Sequence, residues 1–184
     1  EFSLKIGTAL KRIEQLIQSM LKITRIDAGS ISFEKSNYSI PNILNHAISE
    51  LTTRANNEKK EIVINGDLEQ MLYCDIEWTG EAIGNIVKNA LDHTDVGGKI
   101  TISWERTPAM IRIYITDNGH GIDQEDIHHI FKRFYRSKNT SDSQGIGLGL
   151  PLAKVIVEEQ GGVLSVQSER LQGTTFTLSF LTES

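Results

Sequence analysis

Asp117 begins a short segment whose residue types suit recognition of a purine base. Residues 117–122 read Asp-Asn-Gly-His-Gly-Ile and directly follow an alternating, strand-like segment. The two glycines allow the backbone to turn tightly and to approach a flat ligand. The Asp117 carboxylate can accept a hydrogen bond from the exocyclic amine of adenine, whereas it would repel the carbonyl oxygen that guanine carries there. Taken alone, the segment is equally consistent with an Asp-Asn-Gly turn that binds no ligand.

A second glycine-rich segment leads directly into a predicted helix. Residues 145–151 read Gly-Ile-Gly-Leu-Gly-Leu-Pro, and proline suits the first turn of a helix, where its missing N–H group costs no hydrogen bond. Free N–H groups and the helix dipole at such a terminus form an anion site. The segment lacks the Gly-Lys-Ser/Thr of a Walker loop and the strand and ribose-binding acid of a Rossmann site. A flexible hinge is the alternative interpretation.

Glu81, Asn85, Asn89 and His93 recur every four residues and therefore lie on one face of a predicted helix. Asparagine is a poor helix former, so two of them in mid-helix require a reason. The carbonyl oxygen of asparagine is a hard ligand that suits Mg²⁺, which keeps waters and shares phosphate oxygens. The pattern indicates a magnesium and phosphate site with His93 placed to stack on a base. An exposed polar face and a structural histidine are the alternatives.

Residues 131–138, Phe-Lys-Arg-Phe-Tyr-Arg-Ser-Lys, interleave four basic residues with three aromatic ones. This pattern suits contact with nucleic acid or with a polyphosphate. The chain has 19 basic and 24 acidic residues, a net charge of −5 and a pI near 5.6, which argues against binding to bulk nucleic acid. The polyphosphate interpretation is therefore favoured, and Phe131 and Phe134 are predicted to anchor the segment in the core.

Helices and strands that can position these residues follow from the periodicity of the chain. Apolar residues at helical spacing predict helices over about 40–58, 75–92 and 150–160. Strict alternation predicts strands over 100–105 and 111–116, joined by a hairpin at 106–109, and over 163–168 and 175–180, with a turn near 171–173. A sheet with one apolar face requires a cover, which the three helices supply. The expected fold class is α/β, a two-layer sandwich of a mixed, mostly antiparallel sheet and three helices.

Residues 4–26 predict one long amphipathic helix in front of this sandwich. Its apolar positions alternate spacings of four and three, which is the seam of a coiled coil. An ordinary helix docked on its own domain and a helix that requires a partner helix both remain open. The seam residues are Ile6, Leu10, Ile13, Ile17, Met20 and Thr24.

Composition excludes several classes of protein. The chain has 184 residues, 39% of them hydrophobic, which suits one domain and an appendage. The single cysteine, Cys74, cannot form an internal disulfide or a cysteine-rich zinc site. No apolar run approaches the roughly 20 residues of a membrane span, and no signal peptide opens the chain. A soluble, cytosolic segment is expected.

The four motifs together resemble the N, G1, F and G2 boxes of bacterial sensor histidine kinases, in the same order. They are the N box (residues 85–90), the G1 box (117–121), the F box (131–136) and the G2 box (145–150). Gly173-Thr174-Thr175-Phe176 is similar to the final glycine-threonine box. The resemblance covers residues 30–184 and implies the Bergerat ATP-binding fold. It implies two parts: residues 1–29, similar to the second helix of the dimerisation hairpin, and residues 30–184, the catalytic ATP-binding domain.

The resemblance also implies roles for individual residues, with ATP and Mg²⁺ as the bound groups. Asp117 would bind the adenine amine beside His93 and Thr174, and Asn89 would coordinate the metal with Asn85 one turn earlier. Arg136 would contact the terminal phosphates, which Gly147 and Gly149 would line, and residues 137–145 would form a mobile lid. The implied catalytic residues are Asn85 and Arg136, and the implied nucleotide-binding residues are Asn89, His93, Asp117, Gly119, Gly121, Ile122, Phe131, Tyr135, Lys138, Gly145, Gly147, Leu148, Gly149, Leu150 and Thr174.

Two positions depart from the family pattern. Asp92 stands where the family often has a lysine that helps to hold phosphate, and an aspartate there would repel phosphate unless it turns outward or pairs with a cation. No His-Glu-x-Arg-Thr-Pro segment is present, and none of the five histidines has that context. The accepting histidine is therefore expected on a helix outside this chain.

The sequence is interpreted as a protein-histidine kinase that transfers the ATP γ-phosphoryl group to a histidine outside this chain. Expected partners are a second copy through the hairpin helices, the phosphoacceptor helix and a response regulator, and not nucleic acid. The intact protein is expected to reach the membrane only through N-terminal segments absent here. An ATPase or a Ser/Thr kinase of the same fold is one alternative. In gyrase-like ATPases a glutamate stands at the position of Asn85 and activates water, a role that asparagine cannot fill. A non-catalytic binding module is the other alternative.

Overall fold

Alternating apolar residues build the central sheet of the computed structural model, which describes residues 2–137 and 145–182. Within these residues the sheet consists, in spatial order, of β2 (Glu61–Asn65), β4 (Lys99–Arg106), β5 (Met110–Asp117), β7 (Gly173–Leu181) and β6 (Val163–Glu169). Strands β2 and β4 are parallel and the other neighbours are antiparallel, which confirms the predicted mixed, mostly antiparallel sheet.

Three helices cover the apolar face of the sheet, as the alternation predicted. They are α2 (Ile40–Asn57), α3 (Ile76–Asp92) and α5 (Gly149–Glu159). Ile102, Ile113 and Phe176 are fully buried on this side, while the alternate strand positions carry threonine, serine and charged residues toward solvent. The two-layer sandwich is therefore confirmed, and the helix bounds differ from the expected ones by at most one residue.

Side-chain caps fix where two of these helices begin. The hydroxyl of Ser39 accepts a hydrogen bond from the N–H of Asn42 at 3.4 Å, and Asp75 accepts one from Trp78 at 3.1 Å. Both residues satisfy N–H groups that the helix itself leaves free. Helix α5 differs, because Leu148 stands at its N-cap and gives no side-chain hydrogen bond.

Several short elements escape the periodicity analysis. Strands β1 (Ser36–Ser39) and β3 (Met71–Cys74) pair in a separate two-stranded sheet, and β2 forms an edge of the main sheet. A one-turn helix, α4 (Gln124–Ile127), interrupts the segment after β5. Four or five residues give too few positions for a period to be read, so these elements depend on tertiary pairing.

The long first helix, α1 (Phe2–Asp27), packs against α5 through a face other than the predicted seam. Ile23 and Ile26 are buried, with 2% and 4% of their surface exposed, while Ile6, Leu10, Ile13, Ile17 and Met20 remain 42–61% exposed. The helix thus docks on its own domain and still leaves its seam uncovered. Across the described ranges, each helix is too short or too polar to span a membrane.

Candidate nucleotide site

A cavity of about 570 Å³ opens between α3, the end of β5, the G2 box and α1. Most of the residues predicted for nucleotide binding converge on it, although the four boxes are far apart in the chain. Those on its wall are Asn85, Asn89, His93, Asp117, Gly121, Ile122, Tyr135, Arg136, Gly145, Gly147, Leu148, Gly149, Leu150 and Thr174.

Asp117 lies on the cavity wall, where β5 ends. It is opposite Thr174 in the β5–β7 register and exposes only 4% of its surface. Its Oδ1 atom accepts a hydrogen bond of 2.8 Å from the N–H of Gly119. Burial raises the pKa of the Asp117 carboxyl to about 6, although the backbone N–H groups of Gly119 and Thr174 and the nearby His120 oppose the rise. The site therefore holds a carboxylate at neutral pH with capacity to accept a further hydrogen bond.

Gly119 joins this end of β5 to the C-terminus of α3. A Cβ atom at residue 119 would lie 2.2 Å from the carbonyl oxygen of His93, so only glycine fits this approach. The N–H of His120 then donates to the same carbonyl at 3.2 Å. Gly119 thus positions Asp117 and His93 without itself lining the cavity.

The His93 ring lies on the cavity wall near Asp117. Burial lowers its pKa, and the nearby His120 acts in the same direction, against the opposing effect of Asp92. The imidazole is consequently neutral at pH 7, which suits a flat contact with an uncharged base better than an imidazolium would.

Asn85 carries a buried amide nitrogen, Nδ2, that has no hydrogen-bond partner among the described residues. An unpaired buried polar atom is costly in a native protein, so this N–H group has the capacity to donate a hydrogen bond to a ligand or to water. Gly149 of the G2 box lies against the same side chain, because a Cβ atom there would be 3.7 Å from the Asn85 Oδ1 atom. The asparagine face of α3 therefore meets the start of α5.

A Mg²⁺ ion fits this face by the chemistry of its donors. Asn85 and Asn89 lie one helical turn apart on the cavity wall and offer carboxamide oxygens, the hard ligands that Mg²⁺ accepts beside phosphate and water. Among the residues that the structure describes, no group of three or more His, Cys, Asp or Glu side chains is placed to hold a metal ion.

The first turn of α5 presents the backbone N–H groups that an anion requires. Because Leu148 supplies no capping side chain, the N–H groups of this turn keep their capacity to bind a ligand, and the helix dipole favours negative charge there. Gly147 adopts φ +78°, and its carbonyl accepts a hydrogen bond from Phe134 at 2.9 Å. This bond connects the G2 box to the F box.

The F box differs from the prediction in its aromatic residues. Phe131 is partly buried and packs against the core residue Phe176, with ring centroids 6.3 Å apart. This agrees with its predicted role as an anchor, whereas the residue does not line the cavity to which the prediction of nucleotide binding assigned it. The prediction that Phe134 anchors the core is wrong, because it adopts φ +63° and is 51% exposed. Tyr135 and Ser137 both bond to Asp126. Lys138 and residues 139–144 of the expected lid lie outside the described residues.

Asp92 is paired with a cation. Its Oδ1 atom accepts a hydrogen bond of 2.6 Å from Arg54 Nη2, and Arg54 also contacts Glu58 at 2.6 Å. Arg54 comes from α2, 38 residues earlier in the chain. The aspartate at the position of the family's lysine is therefore neutralised by a partner that the sequence pattern did not reveal.

Helix α1 forms a wall of the cavity that the sequence analysis missed. Gln15, Gln18, Ser19 and Lys22 line it, and their spacing of three, one and three residues places them on one helical face. This polar face lies opposite the apolar seam. Lys22 Nζ contacts Glu81 Oε2 of α3 at 2.9 Å, and Asp27 pairs with Arg133 of the F box.

Residues 74–184 match the model of a family described as histidine kinase-, DNA gyrase B- and HSP90-like ATPase. The chain belongs to this family. The sensor protein SrrB of Staphylococcus aureus (strain NCTC 8325 / PS 47) is 31% identical over 170 residues, which make up 91% of this chain and 29% of that protein. The chain thus spans less than a third of this curated relative.

Solved structures of the family share the fold. The Acinetobacter baumannii histidine kinase AdeS aligns with a TM-score of 0.82 at 17% identity, over 98% of this chain and 83% of that one. Histidine kinase ThkA, in complex with the response regulator protein TrrA, aligns with a TM-score of 0.76 at 20% identity, over 97% of this chain and 49% of that one. Together with the family match and the sensor-protein relative, they confirm the prediction of a sensor histidine kinase ATP-binding domain with the Bergerat fold.

Proposed function

We propose that the cavity binds ATP with Mg²⁺ and that the chain transfers the γ-phosphoryl group to a histidine of another polypeptide segment. The observation that carries this proposal is the convergence of a buried carboxylate, an asparagine face and an uncapped helix N-terminus on one cavity. Asp117 suits the adenine amine, and the first turn of α5 suits the phosphates. Because both ends line the same cavity, a nucleotide can contact the two at once.

The residues of this chain would act mainly by position and charge. The N–H groups of α5 and the Arg136 guanidinium would orient the terminal phosphates, and the two asparagines would hold Mg²⁺, which neutralises phosphate charge when bound. In the transfer, the bond between the γ-phosphorus and its bridging oxygen breaks, a bond from phosphorus to a histidine nitrogen forms, ADP leaves and the imidazole proton is released. The accepting histidine is the nucleophile, so the cavity requires none of its own.

Hydrolysis of ATP fits the site less well. Asn85 stands one turn before Asn89, and its amide cannot take a proton from water. Glu81 lies a further turn toward the start of α3, two turns before Asn89. The position at which gyrase-like ATPases carry the water-activating glutamate therefore holds a residue that cannot act as a base.

We extend the proposal to the organisation of the intact protein. Residues 1–29 would be the second helix of a dimerisation hairpin, and residues 30–184 the catalytic domain. ThkA was solved with a response regulator, which supports a response regulator as the partner of this protein also. The catalytic part would work in the cytoplasm, with membrane anchorage through segments that precede this chain.

Incubation with γ-labelled ATP tests the proposal. We expect no label on this chain alone and acid-labile label on an added protein that carries the first hairpin helix and its histidine. An Asn89→Ala variant should lose the transfer while it retains the fold. Stable label on a histidine of this chain, or release of free phosphate without an acceptor, would contradict the proposal.

A further inference from the structure

The face of α1 that lines the cavity differs in charge from the rest of that helix. Gln15, Gln18, Ser19 and Lys22 include one cation and no carboxylate. The same face of α1 continues toward the N-terminus with Thr8, Lys11 and Arg12. These three residues line an adjoining cavity, together with Lys88 and Asp92 of α3. The acidic residues Glu14 and Asp27 of α1 line neither cavity. This wall is therefore suited to a negatively charged ligand.

Lys22 lies at the end of the cavity away from Asp117. Its partner Glu81 precedes Asn85 by one turn of α3, and Asn85 lies against Gly149 at the start of α5. His93 stands 12 residues beyond Glu81, which corresponds to about 18 Å along the helix. Lys22 thus neighbours the phosphate end rather than the base end of the proposed site.

The contact between Lys22 and Glu81 is weak enough to be exchanged. The two side chains are 38% and 33% exposed, and an ion pair this accessible to water contributes little. A triphosphate carries several negative charges, so it attracts the ammonium group more strongly than a single carboxylate does. The buried Ile23 beside Lys22 holds the helix in place, so only the lysine side chain has to move.

A cation from α1 would compensate for Asp92, which stands where the family often has a phosphate-binding lysine. Arg54 neutralises this aspartate at 2.6 Å but does not itself line the main cavity. Glu81 adds a second carboxylate beside the asparagines. The sandwich therefore has carboxylates on the cavity wall at residues 81 and 92 and lacks the lysine that the family often has at residue 92. Its cations on this wall include Lys88, Arg136 and Arg170, and Lys22 adds one beside Glu81.

We propose that Lys22 of α1 is a phosphate-binding residue of the nucleotide site, which contacts Glu81 in the empty site and the terminal phosphates of bound ATP. The inference rests on the proposed function, because it assumes that the phosphates lie at the α5 end of the cavity. It assigns to α1 a part in substrate binding besides its expected part in dimerisation.

Binding of Mg-ATP and of adenosine to the full chain, measured by titration calorimetry, tests this proposal. Lys22→Met should weaken Mg-ATP about fivefold or more and leave adenosine unchanged, because adenosine has no phosphate. Glu81→Gln should leave adenosine unchanged and strengthen Mg-ATP, because it frees the lysine and removes a like charge. Lys5→Met, on the same helix but outside both cavities, removes the same charge and should change neither affinity.

Other outcomes separate the alternatives. If the pair only fastens α1 to the domain, Lys22→Met and Glu81→Gln will weaken both ligands to the same degree, which overturns the proposal. Equal Mg-ATP affinity of Lys22→Met and the wild type also overturns it while the proposed function stands. If the wild-type chain binds neither ligand, the proposed function itself fails. If Lys22→Met does not fold, the Mg-ATP affinity of Glu81→Gln decides. A higher affinity supports the proposal, and an unchanged or lower affinity overturns it.

Discussion

At the scale of single residues, the proposed selectivity for adenine depends on the buried Asp117 carboxylate. Its capacity to accept one more hydrogen bond suits the adenine amine, and its negative charge strengthens that bond. Asp117→Asn should weaken ATP about tenfold or more, since charge-assisted hydrogen bonds contribute roughly 1.5–3 kcal/mol. Titration calorimetry checks this, with Asp67→Asn as a matched control at an exposed turn. Unchanged affinity of Asp117→Asn for ATP would refute the adenine assignment.

The raised pKa of Asp117 gives the same residue a pH signature. The carboxyl titrates at about 6 in the folded protein, so the fraction that is charged falls as the pH decreases from 7 to 5. The protonated form is a poorer acceptor for the amine, and adenosine affinity should fall over this range. Adenosine is the appropriate probe because it carries no titrating phosphate. Asp117→Asn should lack this dependence; an identical pH profile in the two proteins would rule out Asp117 as its source.

At the scale of elements, the junction between β5 and α3 depends on Gly119. A Cβ atom there would lie 2.2 Å from a backbone carbonyl, which cannot move without displacing the end of α3. Gly119→Ala should reduce the free energy of unfolding by about 1–3 kcal/mol, as overpacking does, and should weaken ATP binding. Gly145→Ala is the control, because its added methyl group would meet no atom within 4 Å. Denaturant unfolding compares the two, and equal stabilities would contradict the account.

Element positions were predictable where a period repeats and unpredictable where it does not. The eight alternating residues of β4 and of β5 and the long apolar faces of α2 and α3 were predicted within one or two residues. Strands β1 and β3 were not, because each has four residues and forms only by pairing with the other. Phe134 was wrongly placed in the core because its left-handed backbone, φ +63°, turns the side chain to solvent.

At the scale of the whole molecule, the exposed seam of α1 is expected to drive self-association. Ile6, Leu10, Ile13, Ile17 and Met20 form an apolar stripe along this helix, and helices of this kind gain stability by packing with each other. Sedimentation should show concentration-dependent dimers that are lost when Ile13 and Ile17 are both replaced by aspartate. The matched control, Glu14→Lys with Gln18→Lys, changes charge off the seam and should preserve the dimer. A wild-type chain that stays monomeric at high concentration would refute this expectation.

The sequence by itself determined the residue types of the site, the order of its boxes and the fold class. These follow from local rules: glycines where the backbone must turn, asparagines at helical spacing and apolar residues at the period of each element. The tertiary structure alone decided which distant groups meet. Arg54 reaches Asp92 across 38 residues and Lys22 reaches Glu81 across 59, and no periodicity encodes such pairs, because the contact depends on how helices pack and not on spacing within one of them.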